Sequence, residues 1–313
     1  MIKYLRNSEI DRSKWDACIE NAVNATIYAY SWYLDSACPG WDALVEDDYA
    51  FIMPLPQRKK SGFSYIFPPS LVQQLGIFSP YEITATKVEK FIQAIPAKFK
   101  YAEINLNHGN PVDTLKIKIQ PHTNLEVELN RPYFELAASY SDNLRRNLKK
   151  IPENLFTIKK IDDIQNLIGL FKNNQAKNIA SLPKDFYPVL EKIAHASKIR
   201  KQMQLWQVYH ESELCAGVLF IFGCHKAVFL FSASNDKGKE HNAMHFLIDH
   251  FIKENSGKNL TLDFEGSDNV SLARFYRSFG AAEKNYFGIT LSRLPEFAIN
   301  SIKTVLKIKN KLL

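Results

Sequence analysis

A degenerate internal repeat constrains this chain more than any other feature, because a duplicated pattern leaves few folds open. Ala50 to Pro56 is a short apolar stretch, Gln57 to Gly62 a polar turn, and Phe63 to Phe67 resumes the apolar pattern, as in a β-hairpin. Leu214 to Phe222, Gly223 to Lys226 and Ala227 to Ser232 repeat it in the second half. Each hairpin leads into a loop bearing a glycine, Gly76 or Gly238, and then into an amphipathic helix. Val88, Phe91, Ile92 and Ile95 stand at i, i+3, i+4 and i+7, as do Met244, Leu247, Ile248 and Phe251, so each helix offers one apolar stripe to a sheet. An alternating strand follows each helix: Ala102, Ile104 and Leu106 in the first copy, Leu260, Leu262 and Phe264 in the second.

A strand joined through a helix to another strand is a crossover, so part of each sheet is expected to be parallel although the hairpins are antiparallel. The pattern predicts an α/β chain in which each copy is a mixed sheet flanked by helices, and 313 residues suffice for two such domains. A helix over Ser141 to Lys150, with Ser139 or Ser141 as its cap and Pro152 as its stop, marks the expected boundary. Thr157 to Ile161 as a strand, and helices over 163–171 and 184–199, open the second copy. The expected division is 1–140, 141–294 and a tail over 295–313. That tail sets Phe297, Ile299, Ile302, Val305 and Leu306 among four lysines, an amphipathic pattern suited to packing on the domain or to peripheral contact with anionic lipid or RNA.

The apolar runs are far shorter than the ~18 residues that a membrane helix needs, and no transmembrane segment is expected. The first residues lack the features of a signal peptide, and Cys18, Cys38, Cys215 and Cys224 show no C-x-x-C spacing, so the expectation is a cytoplasmic chain with reduced thiols. A net charge of +7 permits anionic partners without demanding a nucleic-acid groove. His241 and His245 have the spacing of two zinc ligands, but Asn242 stands where a zinc protease needs its Glu and no third ligand is evident, so no metal is expected. Phosphate-loop, dinucleotide and nucleophile-elbow motifs are absent.

Chemistry concentrates in 260–280, LTLDFEGSDNVSLARFYRSFG. Strand alternation puts Leu260, Leu262 and Phe264 on one face and Thr261, Asp263 and Glu265 on the other, so two carboxylates share a side at a strand end. Ser267, Asp268 or Asn269 can cap the next helix, which carries Phe275, Tyr276 and Phe279 and stops at Gly280. Asn269, with Tyr276 seven residues on and Gly280 four further, resembles the last block of GCN5-related N-acetyltransferases (GNAT). Two such patterns in tandem, with the Asp263–Gly266 run and the basic helix Asn143-Leu144-Arg145-Arg146-Asn147-Leu148, resemble the FemABX-like acyl and aminoacyl transferases over residues 20 to 293.

The resemblance implies two tandem GNAT-like domains, the first a degenerate copy, each with a largely antiparallel twisted sheet. It also implies direct transfer of an acyl or aminoacyl group to an amine, without a covalent enzyme intermediate. Asp263 and Glu265 become the candidates for base or amine orientation, and Tyr276 the candidate acid. Ser232, Ser234, Lys237, Gly238, Lys239 and Asn269 are candidates for holding the donor; Tyr30, Trp32, Gln73, Gln74, Gly76 and Arg145 for holding the acceptor. No tightly bound cofactor is implied. The co-substrate is acyl-coenzyme A or aminoacyl-tRNA, and the acceptor a small molecule or a precursor of the bacterial cell wall. The pyrophosphate loop of acetyltransferases fits poorly, since Glu240 occupies the last small position in the second copy and Phe78 in the first, which favours a donor other than coenzyme A. The other reading is a catalytically idle domain pair that binds a ligand or partner.

Overall fold

The computed structural model describes residues 1–294 except Ser61, Thr114, Ala180, Ser181 and Ser267; the expected tail over 295–313 lies outside the described residues. The first half runs β1 (Lys3–Leu5), α1 (Arg12–Asn21), α2 (Ser31–Ala37), β2 (Asp42–Glu46), β3 (Phe51–Leu55), β4 (Gln57–Lys60), β5 (Phe63–Ile66), α3 (Ala85–Gln93), β6 (Phe99–Leu106), β7 (Lys118–His122), β8 (Leu125–Glu128) and α4 (Tyr133–Ala138). The second runs α5 (Asp142–Lys149), β9 (Thr157–Ile161), α6 (Gln165–Asn173), α7 (Phe186–Ile199), β10 (Met203–His210), β11 (Glu213–Gly223), β12 (Lys226–Ser234), α8 (Asp236–Glu240), α9 (Ala243–Asn255), β13 (Thr261–Asp263), α10 (Val270–Arg277), β14 (Ala282–Glu283) and β15 (Tyr286–Ser292).

Strand order carries the duplication. The second sheet is ordered β14-β8-β13-β12-β11-β10-β9. The sheets built on the first half have the order β1-β2-β3 and β4-β5-β6-β15-β7, with β3 and β4 one strand interrupted at Pro56. Position by position the orders coincide, and in both the parallel pair follows the hairpin: β5 with β6, β12 with β13. The α/β character and the paired mixed sheets are as the sequence predicts.

The chain is not divided at a single point. One compact unit contains Met1–His122, Pro188–Ala196 and the described residues from Asn285; the other contains Thr123–Tyr187 and Ser197–Lys284. Strand β15, expected in the second copy, lies between β6 and β7, and β8, expected in the first, lies between β13 and β14. Each sheet thus takes one inner strand from the other half of the sequence, and alternation within a strand cannot say which sheet will take it.

In the first unit α3 packs Val88, Phe91 and Ile92 against Ile66, Phe99, Ile104 and Ile289. Arg293 ties the end of β15 down by donating to the carbonyls of Ile95 (2.9 Å) and Pro96 (2.8 Å). In the second, α9 buries Leu247, Ile248 and Phe251 against Trp206, Val218 and Phe220. Each such fully buried side chain is worth about 1.5–3 kcal/mol. Helix α5 is capped by Ser141, whose Oγ accepts the Leu144 N–H at 3.2 Å, and α10 by Asn269.

A candidate site at the strand splay of the second unit

Strands β12 and β13 are paired only over Lys226↔Thr261, Ala227↔Leu262 and Val228↔Asp263. There β13 ends, while β12 runs on to Ser234 along β11. The departure has a local cause. Phe231 pairs with Leu219 but Phe229 with Phe220, so Leu230 is an inserted residue, a β-bulge that bends β12 where β13 leaves it. The splay is bordered by the end of β12 on one side and by Phe264, Glu265 and Gly266 on the other. Ser232 and Ser234 stand opposite Val218 and Ala216, whose side chains join the α9-side core, as does Tyr276.

Tyr276 is buried in an aromatic stack, its ring 4.6 Å from Phe264 at 17° and 5.9 Å from Phe229. Its hydroxyl makes no hydrogen bond among the described residues. Burial, and then the Glu265 charge, push this phenol far above its ordinary range, so it stays protonated.

The two carboxylates of the run do not do the same work. Asp263 is 3% exposed, and Lys226 bonds to it at 3.2 Å and to Glu126 more closely. Asn124 Nδ2 donates to Glu126 at 3.0 Å. Burial raises the Glu126 carboxyl, with Asp263 adding to the rise and Lys226 opposing it. Burial works against the Lys226 ammonium, yet Asp263 and Glu126 outweigh it and raise the group above its usual value. Strand alternation does not continue past Asp263, whose Oδ1 accepts the Glu265 N–H at 2.9 Å; Glu265 takes φ 57° and Gly266 φ 54°. The expectation that Asp263 shares an open side with Glu265 at the strand end therefore gives way to a buried, ion-paired Asp263. A non-glycine residue in the left-handed region costs about 1 kcal/mol, and Gly266 is required because a Cβ there would lie 2.0 Å from the Thr123 carbonyl.

The glycine loop of this unit is spent on its own fold. Asn235 Oδ1 accepts the Gly238 N–H at 2.7 Å, Lys237 pairs with Glu213 at 3.3 Å, and Lys239 pairs with Asp236 at 2.8 Å. A Cβ on Gly238 would lie 2.3 Å from the Cys215 carbonyl, so this glycine is there for close packing. Gly238→Ala is expected to cost about 1–3 kcal/mol in thermal unfolding, through forced displacement of β11. Asn269 Oδ1 accepts the N–H groups of Ser271 (3.0 Å) and Leu272 (3.2 Å), which occupies it as a cap. Arg145, on exposed α5, bonds to Asp142 at 2.6 Å and to the Ala138 carbonyl at 3.0 Å.

In the first unit the corresponding gap beyond β5 is re-paired by its own loop. Leu75 bridges to Leu106 and Phe78 to Ile52; the Leu75 N–H donates to Asn105 O at 2.7 Å, that of Ile77 to Asn110 Oδ1 at 2.7 Å, and that of Phe78 to Ile52 O at 2.8 Å. Gly76, at φ 98°, sits where a Cβ would be 2.4 Å from Asn110 Oδ1. With those N–H groups used, and with the next helix opening only at Ala85, Gly76 does not form a phosphate cradle. Gln73 and Gln74 are buried and bonded to each other at 2.7 Å. Gln73 also lines a slit of about 230 Å³, open-solvent space included, with Phe67, Pro68, Glu103 and Asn105. Tyr30 and Trp32 are half-buried at the start of α2, Trp32 edge-on to Tyr33 at 5.3 Å.

His241 stacks on His210 and His245 lies edge-on to Phe275, burial lowering the His245 value, and among the described residues no three metal-ligating side chains gather. No helix among the described residues is long and apolar enough to cross a membrane. Sequence reasoning missed Lys226, Glu126 and the bulge at Leu230. The signal for Lys226 was a single charge heading an apolar strand, and for Glu126 its place in the alternating run Leu125 to Glu128.

No family model matches the chain, and no curated protein sequence matches it. Solved structures do. FemX is similar with a TM-score of 0.65 at 12% identity, over 96% of this chain and 99% of that one. The C-terminal domain of a protein assigned as a lysylphosphatidylglycerol synthetase from Agrobacterium fabrum gives 0.56 at 10%, over 95% and 97%. A tandem GNAT protein from the clavulanic acid biosynthesis pathway gives 0.52 at 9%, over 95% and 100%. With the strand order repeated in both halves and these likenesses running the length of the chain, its fold is the tandem GNAT fold of the FemABX-like structures.

Proposed function

We propose that the chain is an acyl or aminoacyl transferase that joins a carbonyl carbon directly to an amine, with the splay of the second unit as its site. The observation that carries this reading is the bulge-opened gap beyond Val228↔Asp263, with a protonated, buried Tyr276 beside the Glu265 charge. In direct transfer the amine nitrogen forms a bond to the carbonyl carbon and the ester or thioester bond breaks. Glu265 takes the amine proton, and Tyr276 donates to the departing oxygen or sulfur. Ser232 and Ser234, on the same sheet face as Tyr276, would orient the donor. Asn269 and Gly238 support this wall without touching substrate.

The spent N–H of Gly238 and the carboxylate of Glu240 favour an ester donor, such as the aminoacyl end of tRNA, over coenzyme A pyrophosphate. The similar solved structures named for FemX and for lysylphosphatidylglycerol synthesis fit that preference; the acceptor would be an amine on a small molecule or cell-wall precursor. The first unit, with its gap re-paired, would have a supporting role.

The test is a panel of acyl-coenzyme A species, aminoacyl-adenosine mimics of the tRNA end and nucleotide-sugar peptides, read by thermal shift and by mass spectrometry of the amines. A shift from one donor and a mass gain on one acceptor are expected, with turnover about a hundredfold lower in Tyr276→Phe. No shift from any compound at saturation would favour the idle binding pair instead.

A further inference from the structure

Three observations around β13 bear on one another. Asp263 is held from two strands, by Lys226 on β12 and beside Glu126 on β8. Phe264, the next residue, lies flat on the Tyr276 ring at 4.6 Å. Glu265 gives its N–H to Asp263 and turns into the left-handed region, followed by a glycine pressed on the Thr123 carbonyl. Three consecutive residues are thus fixed by three different partners, and the last carries the carboxylate that the proposed chemistry uses.

We infer that Lys226, Glu126 and Asp263 form a positioning cluster: they hold the Asp263 carboxylate where it accepts the Glu265 N–H, and that bond sets the left-handed turn at Glu265, the residue after the one that lies on the Tyr276 ring. Lys226 is the tether. Without its ammonium, two buried carboxylates opposite each other in register would repel, and Asp263 would leave the Glu265 amide. Asp263 acts through Glu265 and is a positioning residue. Among the described residues Lys226 on β12 and Glu126 on β8 interact with the Asp263 carboxylate, and Tyr276 on α10 interacts electrostatically with Glu265. The inference rests on the proposed transfer reaction only for its purpose; the geometry can be tested without any substrate.

The experiment is NMR of the full chain with 13Cζ-tyrosine, the Tyr276 signal being the one absent in Y276F. In the wild type this signal should shift as pH rises through the carboxylate range, and E265Q should abolish the shift. D263A should abolish it too, while D263N, whose amide oxygen still accepts the Glu265 N–H, should restore at least half. A wild-type shift in D263A, or its loss in D263N as complete as in D263A, overturns the inference. If D263A does not fold, hydrogen exchange of the Glu265 amide in the wild type decides. Exchange at least a hundredfold slower than a free amide supports the bond, and exchange at the free rate overturns it. None of these readouts depends on donor or acceptor, so failure of the transfer reading would appear only in the compound panel.

Discussion

Severed between Tyr140 and Ser141, the chain is expected to yield two fragments, neither of which folds alone. Fragment 1–140 lacks β15, so β6 and β7 lose the strand that joins them; fragment 141–313 lacks β8, so β13 and β14 lose theirs. The loss is large on any accounting. Ile289 on β15 is fully buried with Phe287 and Leu291 packed beside it, and truncating one such side chain costs about 2–5 kcal/mol. Leu125 and Val127 on β8 are buried to the same degree, and each strand also carries ladder hydrogen bonds on both edges, worth about 1 kcal/mol apiece. A domain is stable by only about 5–15 kcal/mol, so the sum exceeds what either fragment holds in reserve. Circular dichroism melts should show no cooperative transition for either piece, and co-expression should give a 1:1 complex that melts cooperatively. A single fragment with a sharp transition would contradict the strand exchange.

Lys226→Met is expected to cost about 3–5 kcal/mol at neutral pH, since it leaves Glu126 and Asp263 buried, 10% and 5% exposed at the side chain, without their cation. The sign with pH follows from the Glu126 shift. A carboxyl raised in the folded state contributes stability that is complete below its ordinary value of 4.5 and is lost as pH rises through the folded value. Removing Lys226 takes away the charge that opposes the rise, so the deficit of the variant should be largest near neutrality and shrink as pH falls toward 4.5. Denaturant melts of both proteins from pH 4 to 8 measure it; a gap that widens on acidification would mean that the cluster does not carry the charge assigned to it.

The repeat was legible because apolar periodicity is a local property. The stripes from Val88 to Ile95 and from Met244 to Phe251 were visible in sequence; Val88, Phe91 and Ile92, and Leu247, Ile248 and Phe251, lie buried in the helices expected, while Ile95 falls past the end of α3 and Met244 is partly buried. The Ser141 and Asn269 caps were among the candidates for the same reason, being contacts between neighbours in the chain, and the structure selects them. What sequence could not carry was partnership at a distance. Nothing in Tyr286 to Ser292 says that its partners are Phe99–Leu106 and Lys118–His122, 164 to 191 residues earlier. Asp263 and Glu265 were assigned one face by strand alternation, and the assignment failed where the strand stops and Glu265 turns left-handed. The bulge at Leu230 is invisible in an apolar run, since Phe229, Leu230 and Phe231 suit a strand in any register. Gln73, Gln74 and Gly76 matched a loop by composition, but the sheet reclaimed that loop through Leu75 and Phe78.

The central claim is that the splay of the second unit, and not its counterpart in the first, receives the donor. Hydrogen-exchange mass spectrometry of the full chain, with and without saturating aminoacyl-adenosine and, separately, coenzyme A, tests it most directly. The account predicts slowed exchange over 229–238 and 263–272 with the aminoacyl compound, and little change over 72–79. Protection confined to 72–79, or protection of neither segment by either compound, would contradict it.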